Sequence, residues 1–157
     1  MRVKLARIDN RLMHGIVISQ YLPSVGAQRI MVVDDEVALD PMKKEMMMFA
    51  KPNGYACSII PLEKATENIK AGKYGDQVIF LLAKSPVTVL ELMKAGAPID
   101  TLMIGATDRL EGIRLSQRAF LTEEELEACR EIKNMGVPIT VQHVQNVPTE
   151  DLWKIVK

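Results

Sequence analysis

Near its start the chain reads Arg7-Ile-Asp9-Asn10-Arg11-Leu-Met-His14-Gly15, and His14 is one of only two histidines among 157 residues. Neutral imidazole is a nucleophile that is well populated near neutral pH. Guanidinium groups and the free N–H groups of a helix start disfavour a positive ring, which keeps it in the attacking form. Once the ring carries a phosphoryl group, the same donors bind the phosphoryl oxygens. Phosphoryl transfer needs mainly positioning and charge stabilisation, so no metal or cofactor is called for. The pattern therefore points to His14 as a phosphoryl carrier assisted by Arg7 or Arg11. Arg7, Asn10 and Gly15 complete the candidate phosphate-binding set. Asp9 could orient an arginine or hold the imidazole tautomer. Spacing alone equally allows a helix-capping or surface histidine, and the convergence of two arginines beside it tips the balance.

Such a group must stand at the carboxyl end of a central strand, and the surrounding pattern supplies one. Strands are predicted over Arg2 to Ile8, Arg29 to Val33, Ala56 to Ile60, Gln77 to Leu82, Thr101 to Ile104 and Pro138 to Val144. Runs such as Val78-Ile79-Phe80-Leu81-Leu82 are apolar throughout, as in parallel strands covered on both faces. Helical patterns lie between them, over Met13 to Leu22, Ala38 to Ala50, Leu62 to Ala71, Pro86 to Ala95 and Thr122 to Met135. Ser85-Pro86 and the capping box Thr122-Glu123-Glu124-Glu125 mark helix starts, while Gly72, Gly96 and Gly136 mark stops. Leu110 to Leu121 reads as a loop followed by a short strand. The whole chain, 1–157, reads as one α/β domain, a doubly wound and mostly parallel open sheet with helices on both faces. Its active loop follows the first strand, where ligands of such sheets bind.

Other chemistries find less support. Twenty basic and twenty acidic residues cancel, so composition gives no footprint for nucleic acid. No GxGxxG or GxxxxGK[ST] follows the first strand, and no GxSxG elbow is present. His14 and His143 sit in no ligand-spaced motif, so no metal is expected, and His143 reads as structural. Asp34-Asp35-Glu36 reads mainly as helix N-terminal charge, with a contribution to recognition left open. Met46-Met47-Met48 reads as core packing, with an adaptable docking surface as the alternative. Cys57 and Cys129 read as reduced, buried thiols. With neither a signal-peptide pattern nor an apolar run long enough for a membrane span, a cytoplasmic protein is expected.

The loop Arg7-Ile-Asp-Asn-Arg-Leu-Met-His14-Gly15 resembles the active-site loop of the IIB subunits of the mannose–fructose–sorbose family of sugar phosphotransferase systems, whose pattern is approximately R-I-D-D-R-L-I-H-G-Q-V. Arg29-Ile-Met-Val-Val-Asp-Asp-Glu-Val-Ala and the Gly136-Val-Pro-Ile-Thr-Val ending are similar to that family as well. The resemblance implies that His14 is phosphorylated through Nδ1, with Arg11 assisting. The phosphoryl donor would be a IIA domain, and the acceptor a sugar carried by the membrane subunits IIC and IID, with which the chain would associate peripherally. Asn10 and Ile16 stand where Asp and Gln are common, a variation compatible with an N-acetylgalactosamine branch. Self-association is left open. The alternative is a small-molecule enzyme on a Rossmann-like sheet, with His14 as general base and Arg11 binding an anionic substrate. A third reading is an interaction domain that keeps the fold without the chemistry.

Overall fold

The computed structural model describes residues 1–156. Its elements alternate as β1 (Arg2–Asp9), α1 (Gly15–Val25), β2 (Arg29–Val33), α2 (Asp35–Ala38), α3 (Pro41–Met48), β3 (Ala56–Ile60), α4 (Leu62–Lys70), β4 (Val78–Ala83), α5 (Pro86–Lys94) and β5 (Leu102–Ala106). There follow β6 (Ile113–Arg114), β7 (Phe120–Leu121), α6 (Glu123–Asn134), β8 (Ile139–Val141), β9 (Glu150–Asp151) and α7 (Leu152–Ile155). A seven-stranded sheet runs in the order β3-β2-β4-β1-β5-β8-β9. Every pairing in it is parallel except β8 with β9.

The apolar strand runs are explained by burial on both faces. Along β4, Ile79 and Leu81 join one apolar cluster while Phe80 and Leu82 join the other. The second cluster contains Val17, Tyr21 and Leu22 of α1, and the first contains Val89, Leu92 and Cys129 of α5 and α6. Helices thus cover both faces, as the doubly wound reading requires. β1 lies between β4 and β5, so its carboxyl end opens where the strand order reverses.

Four expectations need correction. The helix read over Ala38 to Ala50 is two helices. Pro41 has no N–H to continue a helix but suits the first position of a new one, and the Asp40 carboxylate accepts from the Met42 and Lys43 amides. The resulting α3 buries no residue. Met46 and Met48 are exposed, so they are not core; of the three methionines only Met47 packs against the interior. Leu110 to Leu121 holds two strands, β6 and β7, paired as an antiparallel hairpin. The edge strand β9 and the single turn of α7 lie beyond every predicted element, because elements of two and four residues carry no readable period. Cys129 is buried, and burial pushes its thiol up to about 12, whereas Cys57 is only partly covered.

Candidate functional site

The site begins with the way β1 ends. After Asp9 the chain turns, with the Leu12 amide donating to the Asp9 carbonyl at 3.0 Å. Leu12 sits at φ 56°, in the left-handed region, which costs a non-glycine residue about 1 kcal/mol or more. Its side chain and that of Met13 are almost wholly buried, at 1% and 3% exposure, and this anchoring holds the strained turn. Two buried residues therefore separate Arg11, half-buried, from His14, exposed at the corner.

His14 is the N-cap of α1. Its backbone is extended, and its Nδ1 accepts a hydrogen bond from the Ile16 amide at 3.2 Å. A ring that accepts through Nδ1 carries its lone pair there, and when neutral its proton on Nε2. Regular helix bonding begins only with the Ile18 amide to the His14 carbonyl, at 2.9 Å, so the first-turn N–H groups face the strand end. Gly15 opens the helix, and a Cβ there would meet nothing within 4 Å, so no neighbouring side chain covers this position.

Asp9 organises the arginines. Its side chain is fully buried and accepts from the Arg11 backbone amide, from Arg11 Nε and from Arg11 Nη2, at 3.0, 2.9 and 2.8 Å. The second arginine, Arg7, donates to it through Nε at 3.1 Å. Burial alone would raise the Asp9 carboxyl. The hydrogen bonds from Arg11 and the charges of Arg7 and Arg11 outweigh that effect and hold it below the usual carboxylate range. Arg11 is left with Nη1 unengaged among the described residues, a donor available to an anion.

Arg7 is not where a phosphate ligand would be. It is 0% exposed and fully committed. From β1 its guanidinium crosses the neighbouring β5 and donates to the Gln142 and His143 carbonyls past the end of β8, at 2.8 and 2.7 Å. Nη1 also approaches the Met103 sulfur, and the group lies 4.1 Å from the centroid of the Tyr21 ring. The crossing is possible because residue 105 is glycine: a Cβ there would lie 2.2 Å from Arg7 Nη2. The Tyr21 hydroxyl donates to Gln142 Oε1 at 3.0 Å, tying α1 to the same corner. Arg7 is a buried strut for Asp9, not a ligand.

The remaining candidates divide. Asn10 is half-buried, and its amide donates to the Ala106 carbonyl at 3.1 Å. His143 reaches the same region, lining one cavity with Asn10 and Arg11. Burial, with the charges of Arg11 and Arg118, lowers its pKa below the ordinary histidine value. Asp34 caps α2 by accepting from the Val37 amide, and Asp35 accepts from the Leu62 amide, so both hold helix starts. Glu36 pairs with Lys43 and Lys84. Tyr21, Gly105, Gln142 and the Ile16 amide were not anticipated. Only Gly105, a glycine inside a strand, carried a readable signal of close approach.

Residues 3–157 match the family model described as the PTS system sorbose subfamily IIB component. An N-acetylgalactosamine-specific phosphotransferase enzyme IIB component 2 of Escherichia coli is 32% identical, with 98% of each chain covered. The mannose-specific EIIAB component of the same species is 28% identical over 99% of this chain, which spans 49% of that longer protein. Among solved structures, the IIBSor domain of the sorbose permease from Klebsiella pneumoniae superposes with a TM-score of 0.89 at 30% identity, covering 99% of this chain and 96% of that one. Relatives specific for three different sugars are thus almost equally similar, and identity singles out none of them. The chain belongs to the sorbose-subfamily IIB components of the sugar phosphotransferase system.

Proposed function

We propose that His14 is the phosphoryl carrier of this phosphotransferase component, accepting from a IIA domain and passing the group to a sugar presented by membrane subunits IIC and IID. Phosphoryl transfer in sugar uptake is the family's activity. The assignment to His14 rests on one observation: an exposed imidazole caps α1 with its Nδ1 lone pair held by the Ile16 amide. Attack by Nδ1 breaks that bond. The new N–P bond on His14 forms as the donor's N–P bond breaks, and the freed Ile16 N–H can then donate to a phosphoryl oxygen. Onward transfer forms an O–P bond to a sugar hydroxyl as the His14 N–P bond breaks, and the hydroxyl proton is released.

Arg11 supplies its free Nη1 to the moving phosphoryl group, while Asp9 fixes the other edge of that guanidinium. Asp9 does not serve as a base: its oxygens are committed to the arginines, and its proton affinity is depressed. A resting carrier with no guanidinium bonded to its ring does not hold the phosphoryl group too tightly to release it. No helix of the described residues is long and apolar enough to cross a membrane. The IIA domain is the proposed donor, and a relative carrying an EIIAB designation fits such a pairing.

The test is phosphorylation of the purified chain by a phosphorylated IIA protein. An acid-labile, alkali-stable label should appear on His14 and be absent from a folded His14→Ala variant. Label uptake by that variant, or none by the native chain with a competent donor, would overturn the assignment. The general-base reading has no observation in its favour.

A further inference from the structure

Beside the active loop lies a cavity of about 370 Å³, lined by Asn10, Arg11, Thr107, Asp108, Arg118 and His143 among others. His14 is not among its lining residues. Arg118 stands on the turn between β6 and β7, which is held over the strand ends. The Thr107 amide donates to the Arg118 carbonyl at 2.9 Å, and the Phe120 amide donates to Thr107 Oγ1 at 3.0 Å. The Arg118 guanidinium has no hydrogen-bond or ion-pair partner among the described residues, and Arg11 Nη1 is likewise unengaged. On the same wall, His143 Nδ1 is buried without a partner. An orphaned acceptor there is less costly than an orphaned N–H, which leaves the proton on Nε2. Arg118 and His143 also wall an adjoining cavity of about 420 Å³, lined further by Ser116, Gln117 and Glu150.

We propose that these adjoining cavities form a non-covalent site for the phosphate monoester of a polyhydroxylated small molecule, with Arg118, Arg11 and His143 holding the phosphate. Two free guanidinium edges and an imidazole N–H supply the donor geometry that a phosphate dianion accepts. Asp108 disfavours a bare anion but accepts hydrogen bonds from hydroxyl groups, and Ser116, Gln117 and Glu150 add polar partners in the adjoining space. The ligand is therefore an ester with hydroxyls rather than phosphate alone. Because Arg11 is shared between this site and His14, an occupant withholds that guanidinium from phosphoryl transfer and slows it. A sugar phosphate of the kind that transfer generates has the required chemistry.

Titration calorimetry without any phosphoryl donor tests this separately from the relay, using a hexose 6-phosphate, the unphosphorylated hexose and inorganic phosphate as probes. The hexose phosphate should bind saturably below about 1 mM, inorganic phosphate more weakly and the hexose not at all. Arg118→Gln should weaken the ester about tenfold or more, and Arg118→Lys less. Arg114→Gln, on the same hairpin but outside the cavity, should change nothing. If Arg118→Gln lowers the melting temperature, His143→Gln provides the second test and should also weaken binding. Equal binding of hexose and hexose phosphate, undamaged binding in the Arg118→Gln and His143→Gln variants, or no saturable binding of the ester up to about 10 mM would overturn the site.

Discussion

Two neighbouring strands, β1 and β4, end in corners that solve the same problem differently. After β4, Ser85 Oγ accepts from the Val87 amide at 3.2 Å and Pro86 opens α5. After β1, His14 Nδ1 accepts from the Ile16 amide at the same 3.2 Å. Serine is the ordinary cap, cheap and inert. Imidazole performs the same local task with a lone pair that can also attack phosphorus. Behind the serine corner lie an apolar strand and Lys84, which pairs with Asp34 and Glu36 in partly exposed contacts. Behind the histidine corner lies a buried carboxylate flanked by two guanidiniums, a strained Leu12 and a glycine hollowed out for Arg7. The contrast teaches that the cap itself demands little. The cost is concentrated in fixing Arg11 and the turn around the proposed nucleophile.

The comparison can be broken hardest at Asp9. Replacing it with Asn leaves Arg7 buried without its charge partner and should destabilise the fold by about 3–5 kcal/mol in denaturant unfolding. No substitution at Lys84, on the serine corner, should approach that loss. Gly105→Ala forces Arg7 from its channel and should cost about 1–3 kcal/mol. It should also slow phosphoryl uptake, because Asp9 then loses its strut. Ser85→Ala removes an ordinary cap and should cost about 1 kcal/mol, leaving uptake intact. His14→Ser sharpens the contrast most. It exchanges one cap for the other, so stability should stay within about 0.5 kcal/mol while uptake disappears.

Acid should distinguish the corners too. The Asp9 carboxyl is depressed in the fold, so its contribution to stability is complete above the ordinary carboxylate value and is lost as pH falls through its lower folded value. His143, also depressed, contributes in the same sense at higher pH: stability declines as pH falls below the ordinary histidine value. Denaturant midpoints across pH should show both losses. Asp9→Asn should abolish the lower one and His143→Gln the upper.

Much of this architecture was legible in the residues. Apolar runs such as Val78 to Leu82 required a sheet covered on both faces, and Ser85-Pro86 and the Thr122 box marked helix starts that the structure confirms. The corner bearing His14 was legible because its chemistry-bearing residues are contiguous. Arg7 was misplaced for the opposite reason. Its partners, Gln142 and His143, lie more than a hundred residues away, and nothing local distinguishes a buried strut from a phosphate ligand. The methionine run misled because helical apolar spacing does not say whether a partner surface exists to cover it. In α3 no side chain is buried, and Met46 remains 65% exposed. Arg118 was unreadable because a two-strand hairpin delivers it.

The central claim is tested most directly by nitrogen and phosphorus NMR of the ¹⁵N-labelled chain after reaction with a phosphorylated IIA protein. The account predicts phosphorus coupled to Nδ1 of His14 alone, with the Ile16 amide resonance shifted as it exchanges a ring nitrogen for a phosphoryl oxygen. Phosphorus on Nε2, on His143 or on no residue of the chain would contradict it.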